Sequence, residues 1–226
     1  ERQWLALTSL YMQSGRMDNA VSTAERGRHF FPENPTLPIL EAAGLTQIEQ
    51  YDSALVMLGV ARMITPPDDA ELLSDIATAR GDARYAKGDL DSAFADYSQA
   101  LALNPENMTA LNNCAYYLAC ENRDLDRAMD MILKVVAARP EEATSLDTYA
   151  WVLFMKKEYE QAREAIDNAL AHTDDPSAEL YEHAGDIYFM DRKPQEAVAF
   201  WKKALQLDPE NETLARKIRL KNIYTE

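Results

Sequence analysis

The sequence predicts an all-α chain built as a stack of antiparallel helix pairs, and three observations predict it: composition, a recurring alanine and recurring proline punctuation. Ala, Leu, Glu and Lys abound, against only 7 glycines and 10 prolines in 226 residues, a balance that favours helices over sheets. Ala20, Ala54, Ala93, Ala128, Ala162 and Ala197 follow one another at intervals of 34, 39, 35, 34 and 35 residues. Seven residues after each stands a second small or β-branched residue: Gly27, Ala61, Ala100, Val135, Ala169 and Ala204. Pro32, Pro66, Pro105, Pro140 and Pro209 close five of the six units, and Asp174, Asp175 and Pro176 close the other. Self-similarity at this period is the mark of a repeat architecture.

Within each unit the alanine lies on the second helix. The first helix carries a small residue at a fixed place, namely Thr8, Ala42, Gly81, Ala115, Ala150 and Gly185, where another helix can approach closely. Large residues fall three positions later as Tyr11, Leu45, Leu118, Leu153 and Tyr188, and Arg84 breaks the pattern in the third unit. Short polar turns such as Ser14-Gly15-Arg16-Met17-Asp18 and Lys87-Gly88-Asp89-Leu90-Asp91 reverse the chain between paired helices. The pairs Asp68-Asp69, Glu141-Glu142 and Asp174-Asp175 sit at expected helix starts, where carboxylates cap free N–H groups.

These residues resemble the tetratricopeptide repeat family, whose signature is a Trp, Leu, Gly, Tyr series followed by Ala, Phe, Ala and Pro. The first unit supplies Trp4, Leu7, Thr8, Tyr11, Gly15, Ala20 and Pro32; the last supplies Tyr181, Ala184, Gly185, Tyr188, Ala197, Trp201, Ala204 and Pro209. The resemblance implies a right-handed superhelical solenoid of about six units plus a C-terminal capping helix. We assign units one and two to residues 1–68, units three to six to 69–211 and the cap to 212–226. Thr65-Pro66-Pro67-Asp68-Asp69 accounts for the long interval and marks a possible bend near 65–70. In the cap, Leu214, Ile218 and Leu220 are expected to face the stack and Arg216, Lys217, Arg219 and Lys221 the solvent, as a terminal repeat requires. On this reading the C-terminus is the true one, and further repeats precede Trp4.

Charge and motifs narrow the function. A formal net charge of −15 sets up a field that repels phosphates and anionic lipids, so nucleic acid is not an expected partner. The apolar run Tyr149 to Met155 is far too short to cross a bilayer. His29, His172 and His183 lie in separate repeats without metal-ligand spacing, and the sequence holds no P-loop, dinucleotide-binding glycine pattern or nucleophile elbow. The chain therefore reads as a non-enzyme with no cofactor and no metal. Cys114 and Cys120 lie on one helix and point in different directions, which predicts free thiols.

In the family, first helices line the concave surface and hold peptides or single helices there. Subtracting core positions leaves Asn112, Asn113, Tyr116 and Ala119 in the fourth unit, Asp147, Thr148, Trp151, Phe154 and Met155 in the fifth, and Glu182, His183, Asp186, Phe189 and Met190 in the sixth. Stacked, they form ladders: Asn112, Asp147 and Glu182; Asn113, Thr148 and His183; Tyr116, Trp151 and Asp186; Phe154 with Phe189. Amides and carboxylates beside aromatics suit a neutral or basic protein segment with apolar anchors. The same aromatics could instead complete packing between repeats or meet a second copy of the chain. Some family members grip a chaperone's C-terminal carboxylate with a Lys and Asn clamp, but the equivalent places here hold Leu5, Ser9, Leu40, Asp75, Thr78 and Asp82.

The stretches Asn112 to Ala119, Leu146 to Leu153 and His183 to Tyr188 also resemble the C-terminal part of large multi-repeat proteins of Gram-negative bacteria. That resemblance implies an adaptor of the cell envelope, periplasmic or outer-membrane-associated, although free cysteines lean towards a reducing compartment. The expected role is a protein-binding scaffold. The alternatives are a recruiting region of a larger enzyme and a homo-oligomerisation module.

Overall fold

The structure is a computed structural model that describes residues 1–223. It is all-α, with no strand among the described residues. The chain forms two compact units, Glu1–Ala110 and Leu111–Glu226, and the division falls inside a helix of the fourth repeat.

The first unit holds α1 (Arg2–Gln13), α2 (Met17–Phe30), α3 (Thr36–Gln47), α4 (Tyr51–Ile64), α5 (Ala70–Lys87) and α6 (Leu90–Leu103), and the start of α7 (Met108–Cys120). From α1 to α6 each helix packs on the next, and first helices pack on first helices, α1 on α3 and α3 on α5. The irregular join lies within this unit. Its extra residues go mainly into α5, which is 18 residues long where α1 and α3 have 12. Asp69 caps α5 by accepting from Leu72 N, and buried Thr65 ties its hydroxyl back to Ala61 O. Arg84, the exception to the apolar series, has a partner that sequence periodicity does not show: it meets Asp96 Oδ2 at 2.7 Å, and Arg80 meets the other oxygen of that buried carboxylate.

The second unit holds the rest of α7 and then α8 (Leu125–Ala138), α9 (Ala143–Met155), α10 (Tyr159–Ala171), α11 (Ala178–Met190), α12 (Pro194–Leu207) and α13 (Glu212–Leu220). Its main core joins Leu146, Leu153, Ile166, Leu180 and Ile187, and a second cluster gathers Ala197, Trp201, Ala204 and Leu214. Helix α11 is capped by Ser177, not by Asp174 or Asp175. The capping expectation holds for Leu214 and for half-buried Ile218, but not for two neighbours. Leu220 is 50% exposed, and Lys217, expected in solvent, is only 6% exposed because two carboxylates of α11 hold it. Residues 224–226 of the expected cap lie outside the described residues.

All six helix-pair turns close alike. The carbonyls of Tyr11, Leu45, Arg84, Leu118, Leu153 and Tyr188 accept from Arg16, Gln50, Asp89, Arg123, Glu158 and Lys193. The residue before each donor is left-handed: Gly15, Glu49, Gly88, Asn122, Lys157 and Arg192. This is the six-to-one closure that stops a helix and frees the chain to reverse.

Candidate functional site

All fourteen residues singled out for the inner surface lie in the second unit, on α7, α9 and α11. What they do there differs from one to the next. A column of rings runs through the site. Phe154 stacks on Trp151 at 4.7 Å between centroids, Trp151 stacks on His183 at 4.2 Å, and Tyr116 meets His183 at 6.0 Å and a tilt. The first contact is local, because residues three apart on α9 share a face. The others join separate repeats.

Carboxylates flank the column. Asp147 Oδ1 lies 2.9 Å from His183 Nδ1, and Glu179 accepts the Tyr116 hydroxyl. Glu182 and Asp186 both meet the Lys217 ammonium, at 2.8 Å and 2.7 Å, and Asp186 also accepts the Trp201 indole N–H at 2.8 Å. Burial pushes the Asp186 carboxyl up from the ordinary aspartate range, although Lys217 and Trp201 favour its charge. The expected ladders are therefore realised one position out of step: an acid on one first helix meets a base on the next, Asp147 with His183 and Glu182 with Lys217.

Four of the fourteen are removed from contact with a partner by burial. Ala119, Thr148, His183 and Asp186 are 0%, 4%, 6% and 5% exposed. Asn112, Asn113, Tyr116, Asp147, Trp151, Phe154, Met155, Glu182, Phe189 and Met190 are half-buried. Phe189 tilts against Trp201 at 5.8 Å, whereas the rings on Phe154 are Trp151 and Tyr159, so these two phenylalanines serve different contacts. Asn112 Oδ1 and Trp151 Nε1 are buried atoms without a hydrogen-bond partner. Beside the column, Thr144, Asp147, Asp175, Glu179 and neighbours line a cleft of about 270 Å³.

Sequence reasoning missed Glu179, Lys217 and Cys120. A readable signal for Lys217 existed, since it stands 34 residues after His183. Cys114 is buried and Cys120 lies at the surface, both free. The Cys120 thiol turns towards Tyr116 and Trp151, and burial pushes each thiol up to about 11, so neither is an activated nucleophile. His29 and His172 are exposed, and no cluster of three or more His, Cys, Asp or Glu able to hold a metal occurs among the described residues. No helix among them is long and apolar enough to cross a membrane.

Helix pairs in register, with small residues at the crossings and identical turns, define an α-helical repeat protein. Residues 81–119 match the family model described as TPR repeat, and residues 178–211 that described as Tetratricopeptide repeat. The chain thus carries tetratricopeptide repeats over these two stretches. It is 25% identical over 185 residues to a TPR repeat-containing protein of Pseudomonas aeruginosa, covering 80% of this chain and 30% of that one. It is 25% identical over 127 residues to RNA polymerase II-associated protein 3 of Homo sapiens, covering 55% of this chain and 18% of that one. The chain thus spans less than a third of either relative. Among solved structures, a tetratricopeptide repeat protein from Parabacteroides merdae superposes with a TM-score of 0.73 at 17% identity, covering 96% of this chain and 82% of that one. Pseudomonas aeruginosa pilF gives 0.70 at 14% identity, covering 98% and 97%. The Cut9-Hcn1 structure of the APC/C gives 0.81 at 15% identity, covering 96% and 42%. At these identities the likeness is one of fold.

Proposed function

We propose that the chain is a non-catalytic scaffold whose second unit holds a protein segment against the first-helix surface of α7, α9 and α11. The observation that carries this reading is the half-buried column of Trp151 and Phe154 beside the cleft lined by Asp147, Asp175 and Glu179. Half-buried rings offer apolar anchorage, and acidic surface at the rim favours a basic side chain over an acidic one. The segment is therefore neutral or basic with an apolar anchor. The Pseudomonas relative supports the Gram-negative part of the resemblance drawn from the sequence.

The test is selection of peptides from a display library on the purified protein, followed by affinity measurement against a Trp151→Leu variant and an Asp175→Asn, Glu179→Gln variant. Selected peptides should carry a Lys or Arg near an aromatic or aliphatic anchor. Each variant should weaken them about tenfold or more, the loss of roughly 1.4 kcal/mol expected for a central anchor or a desolvated charge contact. Peptides indifferent to both variants place the binding surface elsewhere, and a concentration-dependent dimer lost on Trp151→Leu assigns the column to a self-contact.

A further inference from the structure

We propose that His183 is a proton-operated clasp between α9 and α11, tightening their joint when the imidazole is charged and loosening it when the imidazole is neutral. The ring is almost fully buried, with Nδ1 on Asp147 at 2.9 Å and one face on the Trp151 indole at 4.2 Å, 21° from parallel. Both contacts cross from one repeat to the next, and both strengthen on protonation. A neutral ring gives Asp147 one hydrogen bond; a charged ring gives it an ion pair in a poorly solvated place and sets a cation on an indole face.

The surroundings decide which form the fold prefers. From α9 comes Asp147; from α7 come the Tyr116 ring and, beyond it, the Cys120 thiol; His183's own helix adds Glu179, Glu182 and Asp186. Helix α13 brings Lys217, whose ammonium is taken up by Glu182 and Asp186. Elsewhere along α11, α10 presents Arg163 to Asp191 and Asp167 to Tyr188, and α12 presents Trp201 to Asp186. Burial alone would lower the imidazole's proton affinity, but Asp147, with Glu179 and Asp186 behind it, outweighs burial and raises it. The sign follows. A group whose folded-state pKa exceeds its unfolded value adds stability that is complete below the unfolded value, about 6.5 for histidine. That stability is lost as pH rises through the folded value. One joint along the stack a lysine fills the corresponding place, so of these two joints it is α9–α11 that carries an imidazole.

The experiment combines the ring resonances of His183, assigned by their absence in His183→Gln, with urea unfolding of wild type, His183→Gln and Asp147→Asn between about pH 5.5 and 8.5. The wild-type ring should titrate above the ordinary histidine midpoint. Over that range the wild-type unfolding constant should rise at least about threefold more than that of either variant. A ring midpoint at or below the ordinary value, or parallel pH profiles for wild type and Asp147→Asn, overturns the clasp. If His183→Gln does not fold, the wild-type ring titration and the Asp147→Asn profile still decide.

Discussion

The α5–α6 pair of the first unit and the α11–α12 pair of the second solve one packing problem in the same way and then diverge. In both, a glycine on the first helix lies under an aromatic ring of the second: Gly81 under Tyr97 and Gly185 under Trp201. In both, the next residue is an aspartate that accepts from that aromatic's polar tip, Asp82 from the Tyr97 hydroxyl and Asp186 from the Trp201 N–H. The divergence lies in what covers the acid. Asp82 is half-buried, while Asp186 is closed over by α13 and holds Lys217. The same local hydrogen bond thus ends in a half-buried carboxylate in one pair and in a buried ion pair in the other, where Lys217 of α13 reaches Asp186.

The comparison extends to every repeat once the two helices are read together. The residue 16 positions after each small residue is its counterpart across the pair: Thr8 and Ala24, Ala42 and Leu58, Gly81 and Tyr97, Ala115 and Met131, Ala150 and Ile166, Gly185 and Trp201. All twelve are buried, and where the first is smallest the second is largest. A close-packed interior demands this compensation, since volume added on one side must be removed on the other.

The largest expected effect breaks that compensation. A Cβ on Gly185 would fall inside contact distance of three Trp201 ring atoms, so Gly185→Ala should cost about 3 kcal/mol in urea unfolding. Gly81→Ala, where the added atom meets the Tyr97 ring at 2.8 Å, should cost less, about 1–2 kcal/mol. Gly59 on α4 meets nothing within 4 Å, and Gly59→Ala should stabilise by up to ~1 kcal/mol through helix propensity alone. If Gly185→Ala, Trp201→Leu, which imitates Ala42 with Leu58, recovers none of the loss, the 16-residue pairing is not the determinant.

The next effect separates the two aspartates. Lys217→Met leaves the Asp186 charge buried with only the indole N–H for company, and should cost about 3 kcal/mol. Adding Asp186→Asn should return much of it. Asp82→Asn in the half-solvated pair should cost no more than about 1 kcal/mol. Equal costs for Lys217→Met and Asp82→Asn would mean that the cover by α13 contributes nothing beyond the local hydrogen bond.

Much of this was legible in the sequence and some was not, for physical reasons. The alanine series and the prolines report crossings and turns, which depend on local size and backbone geometry, so the helix order follows from them directly. The fate of a polar side chain depends on what reaches it from another repeat. Glu182 and Asp186 look like groove residues on their own helix, and Lys217, 35 and 31 residues later, takes both. Treating the last helix as a cap with a solvent face hid that pairing; aligning it as one more first helix, with Lys217 where His183 stands, would have exposed it. Arg84 is similar, an exception in a size pattern that is explained by the buried Asp96 on the partner helix.

The smallest effect concerns the turns, where the repeats differ in sequence but not in geometry. Six residues occupy the left-handed place after the first helices, and only Gly15 and Gly88 are glycines; Glu49, Asn122, Lys157 and Arg192 hold the same conformation with a side chain. A β-carbon there clashes with the following carbonyl, at roughly 1 kcal/mol per residue, with asparagine the most tolerant. Lys157 is exposed and its side chain enters no ion pair among the described residues, so Lys157→Gly should raise stability by about 0.5–1 kcal/mol. Gly88→Ala, the reverse exchange in an equally open turn, should lower it by a similar amount. Urea midpoints moving in opposite directions would show that the turn conformation is imposed by the packed helices on whatever residue stands there. A destabilising Lys157→Gly would instead mean that the lysine's side chain, or the freedom glycine gains in the unfolded chain, outweighs relief of the left-handed strain.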